Sequence, residues 1–287
     1  MFCFSCKKEI PDSAVCPECG APVISSPADD FEREVNKDGT ITVVGYKGAG
    51  GEVGIPPVID GKSVTGIGLR AFYEHKDVTG VSLPASVTSI RGFAFAGTAW
   101  FDAKMKEAPL VIVNGILIGG YTASGDVEIP DGVTVIGENA FDSCSEITGI
   151  SVPDSVTRIE GAAFEGCSGL TDMTVPDSVA FIGDYAFAEC ASLESIHLPG
   201  SLKSIEHNTF QGCVSLLSIT VPDGTERIGR EAFLDCESLR EVIIPDSVTE
   251  LHDTAFEGCF ELEKAVYKGH TYTKQTLDDL FAAVNNY

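Results

Sequence analysis

Basic residues are scarce in this chain: 19 Lys and Arg stand against 43 Asp and Glu, a formal net charge of -24 over 287 residues. A field of that sign repels DNA, RNA and anionic membrane surfaces, whose phosphates need Lys and Arg to neutralise them. Nucleic acid is therefore excluded as a partner, while a basic protein or cations suit the charge. Long apolar runs are missing as well. No stretch approaches the roughly 18 to 20 residues that a membrane helix requires, so no membrane span is expected. The start, Met1-Phe2-Cys3-Phe4-Ser5-Cys6, lacks the basic region, apolar core and small-residue cleavage site of a secretory signal. That points to the cytoplasm; a surface or secreted location would need a leader or export route outside these residues. Catalytic signatures are absent too: there is no G-x-S-x-G elbow, phosphate-binding G-x-x-x-x-G-K, H-E-x-x-H or dinucleotide fingerprint. The glycine-rich stretch Gly48 to Gly54 lacks the lysine and spacing of a phosphate loop, and the five histidines do not cluster. A small-molecule substrate is not expected. General disorder is not expected either, because 44% hydrophobic and 22% charged residues are ordinary globular usage.

What is present is a repeat. Prolines fall at 130, 153, 176, 199, 222 and 245, each 23 residues after the last. Phe141, Phe164, Phe187, Phe210, Phe233 and Phe256 keep the same step, as do Cys144, Cys167, Cys190, Cys213, Cys236 and Cys259. Ile136, Ile159, Ile182, Ile205, Ile228 and Leu251 form another column, and Ile67/Phe72 and Ile90/Phe95 extend the frame upstream. One unit reads L-x-x-I-x-V-P-x-S-V-x-x-I-x-x-x-A-F-x-x-C-x-x. The alternation in Ile196-His197-Leu198 predicts a short strand with apolar residues inward, stopped at Pro199, which has no N–H to donate. Ser201 marks a turn. The Ile-x-x-x-Ala-Phe segment has helical or 3-10 spacing and is placed on the opposite wall. A single unit cannot bury its apolar face, whereas stacked units share one core.

These residues resemble the BspA-like leucine-rich repeats, the 23-residue class carrying L-P-x-S-V-x-x-I and A-F-x-x-C, over roughly residues 40 to 287. Val58-Ile59-Asp60-Gly61-Lys62-Ser63-Val64 is similar to that family's opening unit. The resemblance implies an α/β repeat solenoid, right-handed, with short parallel strands and short helical or 3-10 segments. It also implies a bacterial protein, often one at the cell surface that binds host or microbial macromolecules.

Two departures interrupt the array. Between Phe95 and Phe141 the frame holds at 46 residues, two units, but the sequence is irregular. There Asn114-Gly115 separates two apolar runs, Val111 to Val113 and Ile116 to Ile118, and predicts a hairpin. It is either an elaborated structural coil or a functional protrusion. Near the other end, Thr276 is positioned to N-cap a helix through Leu277, Leu280, Phe281 and Val284 that covers the last coil.

The cysteines are of two kinds. Cys3, Cys6, Cys16 and Cys19 form C-x2-C-x9-C-x2-C, two knuckles that together give one tetrahedral, closed thiolate site for a single structural Zn2+. Disulfides or a redox pair are the alternatives. This segment resembles the short bacterial zinc ribbons. The six repeat cysteines recur at one inward position per coil, where a small thiol packs well; a metal or redox ladder is the alternative. His75, Thr98 and Tyr121 occupy the same position in other coils.

The expected organisation is therefore a zinc ribbon over 1–23, a linker over 24–31, a solenoid over 32–266 and a cap with a short helix over 267–287. The expected function is a non-enzymatic protein-interaction scaffold. A surface or secreted adhesin is the alternative, and an enzyme with a site assembled across coils is less favoured. The candidate surface is the exposed strand face, with Ser151, Thr174, His197, Thr220 and Ile243 in register and Asp172, Glu194, Ser195 and Arg240 beside them. The same residue types also suit an exposed strand that binds nothing. Asp131, Asp154, Asp177, Asp223 and Asp246 follow the prolines. They are either turn residues bonding their own backbone or a column able to take a cation or a basic partner.

Overall fold

A computed structural model describes residues 15–18 and 24–285, and before them only the backbone of two paired strands, Phe2–Cys3 and Lys8–Glu9. Cys6 and Cys19 lie outside the described residues, and nothing is described of the Cys3 side chain; Cys16 is buried. The chain divides into two compact units, Met1–Ile118 and Gly119–Tyr287.

In the second unit, period becomes register. Strand Asp172–Thr174 pairs in parallel with Ser195–His197, matching Asp172 to Ser195 and Thr174 to His197, one 23-residue step apart. Ser218–Thr220 pairs likewise with Glu241–Ile244. Along Asp172–Thr174 and Ser218–Thr220 the middle side chain, Met173 or Ile219, is buried while its neighbours face solvent, as a period of two requires. A second, two-residue strand follows in every coil: Ser204–Ile205 pairs with Arg227–Ile228, and that with Glu250–Leu251. The unit is a parallel β-solenoid.

The far wall corrects the helical or 3-10 expectation. Among the described residues no helix forms between Ile136 and Cys259. The Ala-Phe pairs from Ala140-Phe141 to Ala232-Phe233, and Thr209-Phe210 in the same slot, instead sit between two left-handed residues, while Ala255-Phe256 has only the second. The first set is Asn139, Ala162, Tyr185, Asn208 and Glu231, with φ between 54° and 59°; the second is Ser143, Gly166, Glu189, Gly212, Asp235 and Gly258, with φ between 56° and 76°. A right-handed helical turn cannot run through a positive φ. The N–H groups then alternate in direction. Ala140 and Cys144 donate back within the turn, to Gly137 and Phe141, while Asn139, Phe141 and Ser143 donate to Gly161, Ala163 and Glu165 of the next coil. That coil-to-coil bonding offsets the strain, roughly 1 kcal/mol or more at each non-glycine corner.

Three side-chain columns explain the consensus letters. The phenylalanine rings from Phe141 to Phe256 stack at 5.3, 5.2, 5.6, 5.4 and 5.5 Å between centroids, with planes within 13°. Ser155, Ser178, Ser201 and Ser247 each donate Oγ–H to a carbonyl of the preceding coil, at 2.8, 2.7, 2.6 and 2.7 Å. Where that slot holds Gly224, the buried Thr225 donates to Leu202 instead, at 3.0 Å. The repeat thiols do the same: Cys167, Cys190, Cys213, Cys236 and Cys259 point at the phenylalanine carbonyl one coil back, with Sγ to oxygen distances of 3.1 to 3.2 Å. Burial pushes the Cys144 thiol up to about 11 and Cys259 to about 12, and holds Cys190, Cys213 and Cys236 well above the ordinary value. These are packing groups.

The far end of this unit is covered by a hairpin, Lys264–Tyr267 with His270–Tyr272, and a helix, Leu277–Asn285. A 3-10 turn, Lys274–Thr276, precedes the helix, and the capping box opens at Thr273, with Thr276 as its reciprocal partner. The N-cap thus lies three residues before the expected one, because the 3-10 turn extends the helical run backwards. Leu280 and Val284 are buried. Asn285 sets its amide on the last short strand, accepting from Leu251 N–H at 3.0 Å and donating to its carbonyl at 2.8 Å.

In the first unit, Phe31–Val35 and Ile41–Tyr46 form an antiparallel pair, and Ile41–Tyr46 pairs in parallel with Lys62–Ile67. Residues 24–31 run beside Gly54, which accepts from Ser26 N–H at 2.8 Å. The irregular stretch holds a helix, Ala99–Glu107, that sequence reading leaves out. Thr98, in the cysteine column, caps it by accepting from Phe101 N–H at 3.1 Å, and Trp100 and Phe101 bury its first turn. The expected hairpin follows, Val111–Val113 and Ile116–Gly119, with both turn residues left-handed: Asn114 at 51° and Gly115 at 75°.

Candidate functional site

The strand face of the second unit is not evenly closed. Ile147–Ser151 pairs with Gly125–Glu128, and Asp172–Thr174 pairs with Ser195–His197, but these two pairs belong to separate sheets. The coil-to-coil bond just past the strand is present from Ile129 to Ser151, Val175 to His197 and Val221 to Ile243. Its equivalents from Val152 to Thr174 and from Leu198 to Thr220 are missing among the described residues; Thr171 to Thr148, at 3.4 Å, bridges the first gap and Leu217 to Glu194, at 3.2 Å, the second. A register shift between Gly125 and Asp126 accompanies the first opening. Gly149 leaves room there for the Asp126 carboxylate, since a β-carbon at that position would stand 2.8 Å from Oδ1.

The result is an open groove of about 840 Å³. Its lining includes Asp126, Glu128, Asp154, Asp172 and Asp177 together with His197, and holds no Lys or Arg. Asp126 accepts from Thr148 Oγ1 at 3.2 Å, Asp172 from Thr171 Oγ1 at 3.1 Å, and Asp177 from Gly200 N–H at 3.0 Å. Asp177 thus bonds the next coil rather than its own turn. The basic residues of this unit stand elsewhere, and three of its four arginines face carboxylates. Arg158 meets Glu160 at 2.9 Å, Arg227 meets Glu206 at 2.9 Å, and Arg230 meets Glu231 at 2.8 Å. Among the described residues no group of three His, Cys, Asp or Glu has the geometry to hold a metal ion.

Of the residues expected on the strand face, Ser151, Asp172, Thr174 and His197 line the groove. Ser195 lies across the ladder from Asp172, and Thr220 across from Ile243 further along. Glu194 and Arg240 are exposed beside those strands and do not line the groove. Asp126 and Glu128 escape sequence reading because they belong to the coil where the repeat frame is weakest. Asp154 and Asp177 were visible as members of the post-proline column, though not as groove residues. His197 stands among carboxylates in an open groove, without the water exclusion that strengthens acid–base catalysis.

The chain matches the family described as BspA type leucine rich repeat region at residues 57–168, 120–237 and 203–281. No curated protein matches it. Among solved structures, a leucine rich cell surface protein of Faecalibacterium prausnitzii is 22% identical, with 87% of this chain and 95% of that chain covered and a TM-score of 0.38. A leucine-rich repeat protein of Bacteroides ovatus is 23% identical, covering 83% and 70%, with a TM-score of 0.35. The T. pallidum Leucine Rich Repeat protein is also 23% identical, covering 83% and 91%, at 0.30. The family matches run from residue 57 to residue 281, and the stacked phenylalanines, serine hydroxyls and thiols are what their repeat letters do in space: the chain belongs to the BspA-type leucine-rich-repeat family.

Proposed function

We propose that the chain is a non-enzymatic scaffold that holds a protein partner on its strand face. The observation that carries this reading is the groove, where the strand ladder opens and exposed polar side chains from successive coils line one continuous surface. The test is capture from cell extract with quantitative mass spectrometry, using wild type and a Ser151→Arg/Thr174→Arg/Thr220→Arg variant. A far-wall control carries Thr157→Arg/Ala180→Arg/Thr249→Arg. A partner lost by the folded face variant and kept by the control supports the reading. Equal recovery by all three proteins sinks it. The cytoplasm is the proposed location, and family membership makes the cell surface the alternative. Among the described residues no helix is long and apolar enough to cross a membrane. Immunoblots of cytosolic and surface fractions decide between the two.

The N-terminal segment is proposed to hold one structural Zn2+ on Cys3, Cys6, Cys16 and Cys19. Four thiolates are a complete tetrahedral donor set, and the antiparallel pairing of Phe2 with Glu9 and Cys3 with Lys8, with Cys16 buried, fits a zinc ribbon. The ion would supply much of the folding free energy of a segment too short for a core. Thiol chemistry tests this together with the packing role of the repeat cysteines. In the native protein a disulfide reagent with a zinc indicator is expected to titrate four thiols, releasing one zinc ion per chain. The other six of the ten cysteines should react only on unfolding. For Cys144, a value of about 11 lowers the thiolate fraction at pH 8 by on the order of a hundredfold. Ten thiols reacting alike in the native protein, with no zinc released, would refute both assignments.

A further inference from the structure

We infer that the chain's own N-terminal arm occupies the strand face of the first unit, so that only the second unit's face is open to a partner. Strands Gly51–Gly54 and Val78–Ser82 form that face, paired in parallel with Val53 opposite Val81 and Gly54 opposite Ser82. Ser82 shares a repeat column with Glu128, Ser151, Thr174, His197 and Thr220, each a whole number of 23-residue steps further on. Those five are all exposed. Ser82 is fully buried, and the neighbouring positions Gly54 and Gly80 are buried with it. A polar side chain that stays dry on the outward side of a strand has something lying over it.

Two parts of the arm lie there. Residues 24–26 are tied to Gly54 in both directions: Ser26 N–H donates to its carbonyl at 2.8 Å, and its own N–H donates to Ser26 Oγ at 3.3 Å. Position 54 needs glycine for room rather than for conformation. Its φ is not left-handed, but a β-carbon would overlap the Ile24 carbonyl, and the next nearest atoms also belong to Ile24 and Ser25. At Gly54 the arm is therefore the cover. Strand Phe2–Cys3 lies against Val78–Ser82, which carries the cover on to Gly80 and Ser82. The root of the arm is fixed by Phe31, whose buried ring meets Tyr46 at 5.7 Å and Phe72 at 6.4 Å. The helix Ala99–Glu107 also packs on Val78–Ser82 and is the rival cover for Ser82. A tethered segment competes with free partners at an effective concentration on the order of millimolar, so a partner reaches this face only by displacing the arm. The inference rests on the strand-face reading for what is kept out; the cover itself is tested without a partner.

The test reads side-chain access at equivalent places in the full chain. Ser82→Cys and Ser151→Cys proteins are treated with iodoacetamide under native conditions, and modification at each position is followed by peptide mass spectrometry. The thiol at 151 is expected to react at least about tenfold faster than the thiol at 82. Two changes that lift the arm are then added to each protein. Gly54→Ala sets a methyl group against the Ile24 carbonyl, and Ser26→Pro removes both bonds to Gly54 without altering the strands. Each is expected to speed reaction at 82 by about tenfold and to leave 151 unchanged. Acceleration at 82 by Ser26→Pro, with or without Gly54→Ala, supports the inference. Equal rates at 82 and 151 before either change would overturn it, because the face would then be open in solution. A thiol at 82 that stays slow in both variants would overturn it too, and would assign the cover to the helix Ala99–Glu107. So would acceleration by Gly54→Ala alone, which a loosened strand pair explains. None of these outcomes touches the second unit's face, which stands or falls on capture with the arginine variants.

Discussion

Phe187→Ala is expected to lower the stability of the second unit by about 4 kcal/mol, the usual scale for emptying a buried phenylalanine site. The ring is fully buried and lies between Phe164 at 5.2 Å and Phe210 at 5.6 Å, with planes within 8° of both. Removing it takes away the transfer free energy of one ring and the stacking contacts of two neighbours. The site cannot collapse readily to fill the gap, because each coil's main chain is tied to the next through the bonds from Phe164 to Ala186 and Phe187 to Thr209. Phe256→Ala should cost about 1 kcal/mol less, since that ring stacks on Phe233 alone within the phenylalanine column and is slightly exposed. Urea titrations followed by circular dichroism measure both, with midpoints compared because repeat arrays need not unfold in two states. A Phe187 variant that melts within about 1 kcal/mol of wild type would show that the column is not what binds the coils.

Much of this architecture was legible from the columns alone. In a parallel coil the sequence period is also the pairing register, so the 23-residue steps from Ile159 to Ile182 and from Ile205 to Ile228 already named the residues found opposite one another. The far wall was misread because Ile-x-x-x-Ala-Phe fits a helical spacing and says nothing of the sign of φ. A signal was nevertheless present: Gly166, Gly212 and Gly258 share a column with Ser143 and Asp235, and Asn139 and Asn208 share another. Glycine and small polar residues recurring at fixed places indicate left-handed corners rather than helix. The helix Ala99–Glu107 was hidden for a different reason. Thr98 occupies the cysteine slot, and its capping role appears only where the chain leaves the coil frame. The groove was half visible: four of the expected strand-face residues line it, but no periodicity shows where a ladder opens, and Asp126 and Glu128 sit in the irregular coil.

Deleting residues 273–287 is expected to be as severe as the phenylalanine lesion, and to add a consequence that Phe187→Ala does not have. The helix Leu277–Asn285 buries Leu280 and Val284, and its loss re-exposes the apolar surface they cover, about 3 to 5 kcal/mol for two large side chains. It also strips the Asn285 amide from Leu251, where both the N–H and the carbonyl are bonded by that one side chain. The amide completes the strand Glu250–Leu251 as another coil would, and without it a row of backbone groups lies open for pairing with a second molecule. The truncated protein should therefore unfold at lower urea and self-associate with rising concentration in sedimentation experiments. Asn285→Ala separates the two effects: it keeps the apolar cover, should cost about 1 to 2 kcal/mol for the two unmet backbone groups, and should shift the sedimentation profile only at high concentration. If truncation leaves both the midpoint and the monomeric state unchanged, the helix is an appendage and the last coil is stable with its edge bare. If truncation lowers the midpoint without association, the helix acts through its apolar face, and the amide of Asn285 is not what keeps the edge from pairing.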